Sequence, residues 1–134
     1  MSETTQPIIL IVDDNARLLR GIERMLSEHF TIITVVSAAE AMAVIEREPV
    51  DVVLADNQMP GLQGTALLGL VARTHPGIAR ILMTGDAGAV MKQQASRAEV
   101  VRVLEKPFHG AKVVAAICDA LAMVSDAKHE IEVN

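Results

Sequence analysis

Short runs of β-branched and leucine residues alternate with helical periods along the whole 134-residue sequence, and that alternation constrains the fold more than any other feature. Ile8 to Val12, Val50 to Ala55 and Ile78 to Met83 have the character of strands buried on both faces. Phe30 to Val36 and Val100 to Leu104 complete the set, although Arg102 makes the last half polar. Between them, Leu18, Leu19, Ile22, Met25 and Leu26 recur at steps of three and four, with Arg17, Arg20, Glu23 and Arg24 largely opposite. Ser37 is placed to cap a helix from Ala38 to Glu46, and His75-Pro76-Gly77 stops one running from Thr65 to Thr74. Ala87 to Arg97 is the weakest helix, because its apolar positions are mainly Ala with Val90 and Met91, so it should pack shallowly. A last helix from Lys112 to about Ala127 carries the stripe Val113, Ile117, Ala120, Leu121 and Val124, and Cys118 reads as a small apolar core residue on it. The seven Met residues read mostly as core filler.

Five βα units of this length imply an α/β, doubly wound fold with a parallel sheet and helices on both faces. The length fits one domain. It is expected at residues 7–127, with 1–6 as an N-terminal tail and 128–134 as a C-terminal tail or linker.

Composition narrows the function. Hydrophobic residues make up 51% of the chain against 22% charged, enough apolar side chain for a real core. Two Phe and no Tyr or Trp provide no stacking platform for single-stranded nucleic acid, and a net charge of -5 provides no phosphate-gripping surface, so no direct nucleic-acid binding is expected. No apolar stretch reaches the roughly 20 residues of a bilayer span, so no membrane contact is expected. The start, Met1-Ser2-Glu3, lacks the basic region of a signal peptide, and the single Cys118 suits a reducing compartment; together these predict a cytoplasmic location. His29, His75, His109 and His129 fall in loops or ends without ligand spacing.

In a doubly wound sheet, ligands bind beyond the carboxyl ends of the strands, where strand order reverses. The first strand ends in Asp13-Asp14, the third in Asp56, the fourth in Thr84 and the fifth in Lys106. Carboxylates about 4 Å apart repel by roughly 4 kcal/mol per pair at an effective dielectric near 20, so a compensating cation is expected. Mg²⁺ suits a shallow carboxylate cluster, and Lys106 adds positive charge. The plainer reading is that these Asp residues begin loops and cap helices, but four strand ends agree.

Asp13-Asp14, the segment Asp56-Asn57-Gln58-Met59-Pro60-Gly61 with Gly64, Met83-Thr84-Gly85 and Lys106-Pro107-Phe108 together resemble the receiver domain of bacterial two-component response regulators. The resemblance covers essentially the whole chain. It implies a (βα)5 flavodoxin-like fold with strand order 2-1-3-4-5. It also implies that Asp56 accepts a phosphoryl group from a sensor histidine kinase or phosphotransfer protein. Mg²⁺ would be held by Asp14, Asp56 and the backbone carbonyl of Gln58, with Asp13 acting through water. Thr84 would donate a hydrogen bond to the phosphoryl group, Lys106 would neutralise its charge, and Lys106-Pro107 would be a cis peptide. Gln58 and Asp86 stand at positions that tune loss of the phosphoryl group, Gln58 by contacting the attacking water.

One position departs from the family. Three residues before Lys106, where many receivers carry Tyr or Phe, stands Val103, and Val has no ring to rotate. Output should then depend on Thr84, the Gly85 loop and the loosely packed fourth helix. The resemblance implies a switching module that acts on a downstream effector protein or output domain through helix four, strand five and helix five. That surface would also serve a homodimer formed on phosphorylation. Self-catalysed transfer and autodephosphorylation are its only implied chemistry. The alternatives are an unphosphorylated docking module and a small aspartyl-phosphate phosphatase. Against the phosphatase, no second acid lies two residues beyond Asp56.

Overall fold

A computed structural model describes residues 6–59, 61–85 and 88–133, with the side chains of 89–90 and 125–133 outside the description. Pro60, Asp86 and the side chain of His129 therefore lie outside it. The elements run β1 (Ile8–Val12), α1 (Ala16–Leu26), β2 (Thr31–Val35), α2 (Ala38–Arg47), β3 (Val52–Asp56), α3 (Gly64–Thr74), β4 (Ala79–Thr84), α4 (Ala89–Arg97), β5 (Arg102–Glu105) and α5 (Gly110–Val133). All strand pairs are parallel, in the order β2-β1-β3-β4-β5. The alternation of apolar runs thus predicts the class and the resemblance the order.

The pleat sorts each strand's side chains onto two cores. Ile9, Ile11, Val52, Leu54, Ile81 and Met83 meet Leu19, Ile22 and Leu26 of α1 and Val113, Ala116, Ile117 and Ala120 of α5. Leu10, Val12, Val53, Ala55 and Leu82 meet Val44 and Ile45 of α2, Leu67, Leu68 and Val71 of α3, and Ala95 of α4. Covering both faces is what makes the inner strands apolar at successive positions.

The expected cap and stop form: Ser37 Oγ accepts from the Glu40 N–H at 3.2 Å. The structure adds a second cap, Asn15 Oδ1 accepting from the Leu18 N–H at 3.1 Å at the start of α1. Helix α3 ends at Thr74, before Pro76. Helix α4 is shallow as expected: among its described side chains only Ala95 is buried.

Several expectations shift. Strand β5 runs from Arg102 to Glu105 rather than Val100 to Leu104. Glu99 sits in the left-handed region at φ 57, and the Val100 N–H still bonds back to the Ala95 carbonyl. Arg80 holds this corner from inside β4, its Nε donating to the Glu99 carbonyl at 3.0 Å and its Nη1 to the Ile78 carbonyl at 2.6 Å. Burial pulls the Arg80 guanidinium below its ordinary value, partly offset by the nearby Glu99 charge. Helix α5 begins at Gly110 and continues past residue 127 to Val133.

Cys118 is exposed, not core. The buried stripe of α5 runs through Val113, Ala116, Ile117 and Ala120, and position 118 falls about 100° round the helix from 117. Met25 and Met123 are likewise exposed, at 42% and 45%, so core filling describes Met59 and Met83 but not the methionines as a group.

Gly64, at the start of α3, packs directly under the end of β3. A Cβ there would overlap the Asp56 carbonyl oxygen and lie 2.8 Å from its carbonyl carbon, and backbone cannot step aside as a flexible side chain does. Gly64→Ala is therefore expected to destabilise the fold by about 1–3 kcal/mol, measured by urea unfolding, whereas Gly21→Ala, which meets nothing within 4 Å, should not destabilise it.

Candidate functional site

The strand order reverses between β1 and β3, and the chain ends of those strands open a crevice there. Asp13 and Asp14 follow β1, Asp56 ends β3, Thr84 ends β4 and Lys106 follows β5. With Asn15, Asn57, Gln58, Gly85 and Met91 they line one cavity of about 510 Å³. Six of the expected site residues, Asp13, Asp14, Asp56, Gln58, Thr84 and Lys106, are thus brought together. Val103 is not among them: it is half-buried in β5 and packs against the core on the α2, α3 and α4 side. Asp86 lies outside the described residues.

Lys106 is the cation at the centre. Its Nζ donates to Asp56 Oδ1 at 2.8 Å and to Asp13 Oδ2 at 3.0 Å. Asp13 is 1% exposed and Asp56 7%, so both carboxylates are largely removed from water. The remaining Asp13 oxygen, Oδ1, accepts from the Asn15 N–H at 2.9 Å, which fixes the carboxylate in the turn leading into α1. Backbone bonds hold the frame: the Lys106 N–H donates to the Thr84 carbonyl at 2.7 Å, and the Asn57 N–H to the Met83 carbonyl at 2.9 Å. The Lys106-Pro107 bond is cis, as the resemblance implies.

Burial raises the Asp56 carboxyl above its ordinary value, with Asp13 and Asp14 adding to the rise and Lys106 opposing it. Burial pulls Lys106 down, but its bonds to Asp56 and Asp13 outweigh this and hold its ammonium above the ordinary lysine value. One oxygen each from Asp13, Asp14 and Asp56 lies within 4.8 Å of the others, with Asp14 exposed to solvent. A set made only of hard carboxylate oxygens, open on one side to water, suits a divalent ion such as Mg²⁺, which retains several waters.

Sequence pattern does not single out Asn15, Asn57 and Met91 as members of this site. Asn15 carries a signal, since Asn directly before a helical period is a cap. Asn57 carries a fainter one, as a polar amide directly after a buried apolar strand.

The response regulator receiver domain model matches residues 9–118. Over 80 residues, 60% of this chain, the sequence is 44% identical to the hydrogenase transcriptional regulatory protein HoxA of Cupriavidus necator, of which the match covers 17%. Over 123 residues, 91% of this chain, it is 32% identical to the transcriptional regulatory protein GlrR of Escherichia coli, of which it covers 28%. The chain thus spans well under a third of the length of these curated relatives. Among solved structures, the signal receiver domain of an HD domain-containing protein from Pseudomonas fluorescens superimposes with a TM-score of 0.87 at 27% identity, covering 96% of both chains.

The raised Asp56 carboxyl has a consequence for stability. A carboxyl that binds its proton more tightly when folded contributes fully below the ordinary value of 3.8, and that contribution is lost as pH rises through the folded-state value. Asp56→Asn removes this cost. In thermal melts the variant should be more stable than the parent at pH 7, and the gain should shrink as the pH approaches about 4. A gain that persists unchanged at pH 4 would point to packing rather than charge.

Proposed function

Because the chain belongs to the response regulator receiver domain family, we propose that it is a phosphorylation-switched signalling module whose acceptor is Asp56. The observation that carries this reading is the single ammonium, Lys106 Nζ, bridging Asp56 and Asp13 beside Asp14 at the strand-order reversal. The Asp56 carboxylate oxygen attacks the phosphorus of a phosphohistidine on a sensor kinase or phosphotransfer protein. The new P–O bond forms as the P–N bond breaks, and the departing imidazole takes up a proton. Lys106 balances charge on the transferred oxygens, while the strand ends fix the line of attack.

Asp14, Asp56 and the Gln58 backbone carbonyl would hold Mg²⁺, with Asp13 acting through water. The ion supplies further neutralisation of phosphoryl charge. Thr84, at the end of β4, offers its hydroxyl to the attached group. Gln58, exposed at the cavity wall, contacts the water that later removes it. Asp86 is assigned the second tuning position from the family's motif alone.

Residues 7–127 form the switch, and its output passes through α4, β5 and α5 to an effector protein or output domain, or to a second phosphorylated copy. Val103 has no ring to report phosphorylation, so Thr84, Gly85 and α4 carry the signal. A cytoplasmic site of action accords with the relatives being transcriptional regulators. No helix among the described residues is long and apolar enough to cross a membrane.

Incubation with a small-molecule phosphodonor and Mg²⁺ tests the reading. Mass spectrometry should show one added phosphoryl group, absent from Asp56→Asn and nearly absent without Mg²⁺. A chain that takes up none is a docking module, and one that turns over many phosphate esters is a phosphatase. In the phosphorylated protein, Gln58→Ala should lengthen the half-life of the adduct, followed by loss of the added mass with time; an unchanged half-life removes Gln58 from the hydrolytic step.

A further inference from the structure

Between Asp56 and Glu99 the sequence carries one acid, Asp86, against four cations, Arg73, Arg80, Lys92 and Arg97, in a chain whose net charge is -5. The stretch that makes α3, β4 and α4 is thus the positive part of an acidic protein. Arg80 is buried and committed to backbone carbonyls. Arg73, Lys92 and Arg97 are exposed.

The fold sets two of these cations on one groove. Gln63, Gly69 and Arg73 on one side and Gln94, Arg97 and Ala98 on the other line an open depression of about 440 Å³ between α3 and α4. Among the described residues no carboxylate lines it, and neither arginine is ion-paired, whereas Arg47 and Arg102 reach Glu48 and Asp119 at 3.8 and 3.6 Å. An arginine in the last turn of a helix complements its dipole, and both stand in such turns. That accounts for each arginine alone, but not for two of them lining a groove from which acids are missing. The floor of the groove is open. A Cβ at Gly69 would lie 3.7 Å from Arg73 Nη1 and 3.9 Å from the Ala98 Cα, so the guanidinium and the α4 backbone both come within contact distance of one point on α3, and glycine leaves that point free.

We propose that this groove docks an acidic peptide segment of a partner protein, with carboxylates on Arg73 and Arg97 and backbone amides on Gln63 and Gln94. A guanidinium fork matches a carboxylate in bidentate geometry, and a glutamine amide offers both the donor and the acceptor that a peptide backbone needs. From Gln63 to Arg73 the chain of α3 advances about 15 Å, the span of four or five extended residues and more than a single small anion covers. A long polyanion would also meet the acids on the rest of the surface. A short segment in the groove is largely screened from charges more than about 8 Å away at physiological salt. The inference is independent of phosphoryl acceptance by Asp56, and its test uses neither phosphodonor nor Mg²⁺.

Fluorescence polarisation with the full chain and a labelled octapeptide of equal parts glutamate and alanine tests it. Binding is expected to saturate, to weaken as salt is raised, and to fall about two- to fivefold in Arg73→Gln or Arg97→Gln and about tenfold in the double variant. Arg20→Gln, which removes the same charge from an exposed position of α1, should leave affinity unchanged, and a matching lysine and alanine peptide should not bind. Gly69→Leu, which keeps every charge but occupies the floor, should weaken binding as well; if Leu is not tolerated there, the exposed arginine variants still decide. Affinity that never saturates, that survives loss of both groove arginines, or that falls equally in Arg20→Gln overturns the proposal. Displacement of the peptide by inorganic phosphate, where sodium chloride of equal ionic strength has no effect, marks a small-anion site and overturns it too.

Discussion

The bridge from Lys106 to Asp56 and Asp13 is the interaction on which the site depends. It joins residues 50 and 93 positions apart in the chain, and it exists only because β1, β3 and β5 run parallel and end at the same edge. Three carboxylates within 4.8 Å of one another would repel strongly in a place where two of them are nearly cut off from water. One ammonium partly offsets that repulsion, while burial, with a smaller push from Asp13 and Asp14, keeps the Asp56 carboxyl above its ordinary value. The remaining deficit of positive charge is what a divalent ion held by these carboxylates would offset. The same field makes the end of β3 an expensive place to keep a carboxylate, so stability and the proposed chemistry oppose each other at Asp56.

The rest of the molecule divides into a rigid part and a loose one. The two cores against β1, β3 and β4 are built from fully buried Ile, Leu and Val, and Gly64 locks α3 against the end of β3. These parts hold the acid cluster in place. Among its described side chains helix α4 buries only Ala95, and its C-terminal end meets the corner where Arg80 binds the carbonyls of Ile78 and Glu99. A helix with few buried contacts is the element whose displacement costs least. It borders the cavity through Met91.

Much of the site is legible in the sequence. The Asp pair, Asp56, Thr84 and Lys106 each follow or end an apolar run, and a parallel sheet gathers such residues at one edge. Helix faces are less legible. Cys118 and Met25 fit an apolar composition, yet each turns outward because neighbours one step away on the same helix fill the buried stripe. Arg80 within β4 gives no sign that its guanidinium will find carbonyl partners at the α4–β5 corner, since those partners come from Ile78 and Glu99. The extent of β5 depends on the same corner.

The sequence by itself determined the fold class, because five short buried runs separated by helical periods leave only a parallel, doubly covered sheet. It also determined which residue types stand at the strand ends. The tertiary structure alone decided the distances that turn those residues into a site: 2.8 and 3.0 Å from Lys106 to its two carboxylates. It alone decided the burial of Asp13 and Asp56, and that the buried Asn57 Oδ1 meets no donor among the described residues. Those quantities depend on atoms from strands far apart in the chain, and local pattern carries no information about how closely such atoms meet.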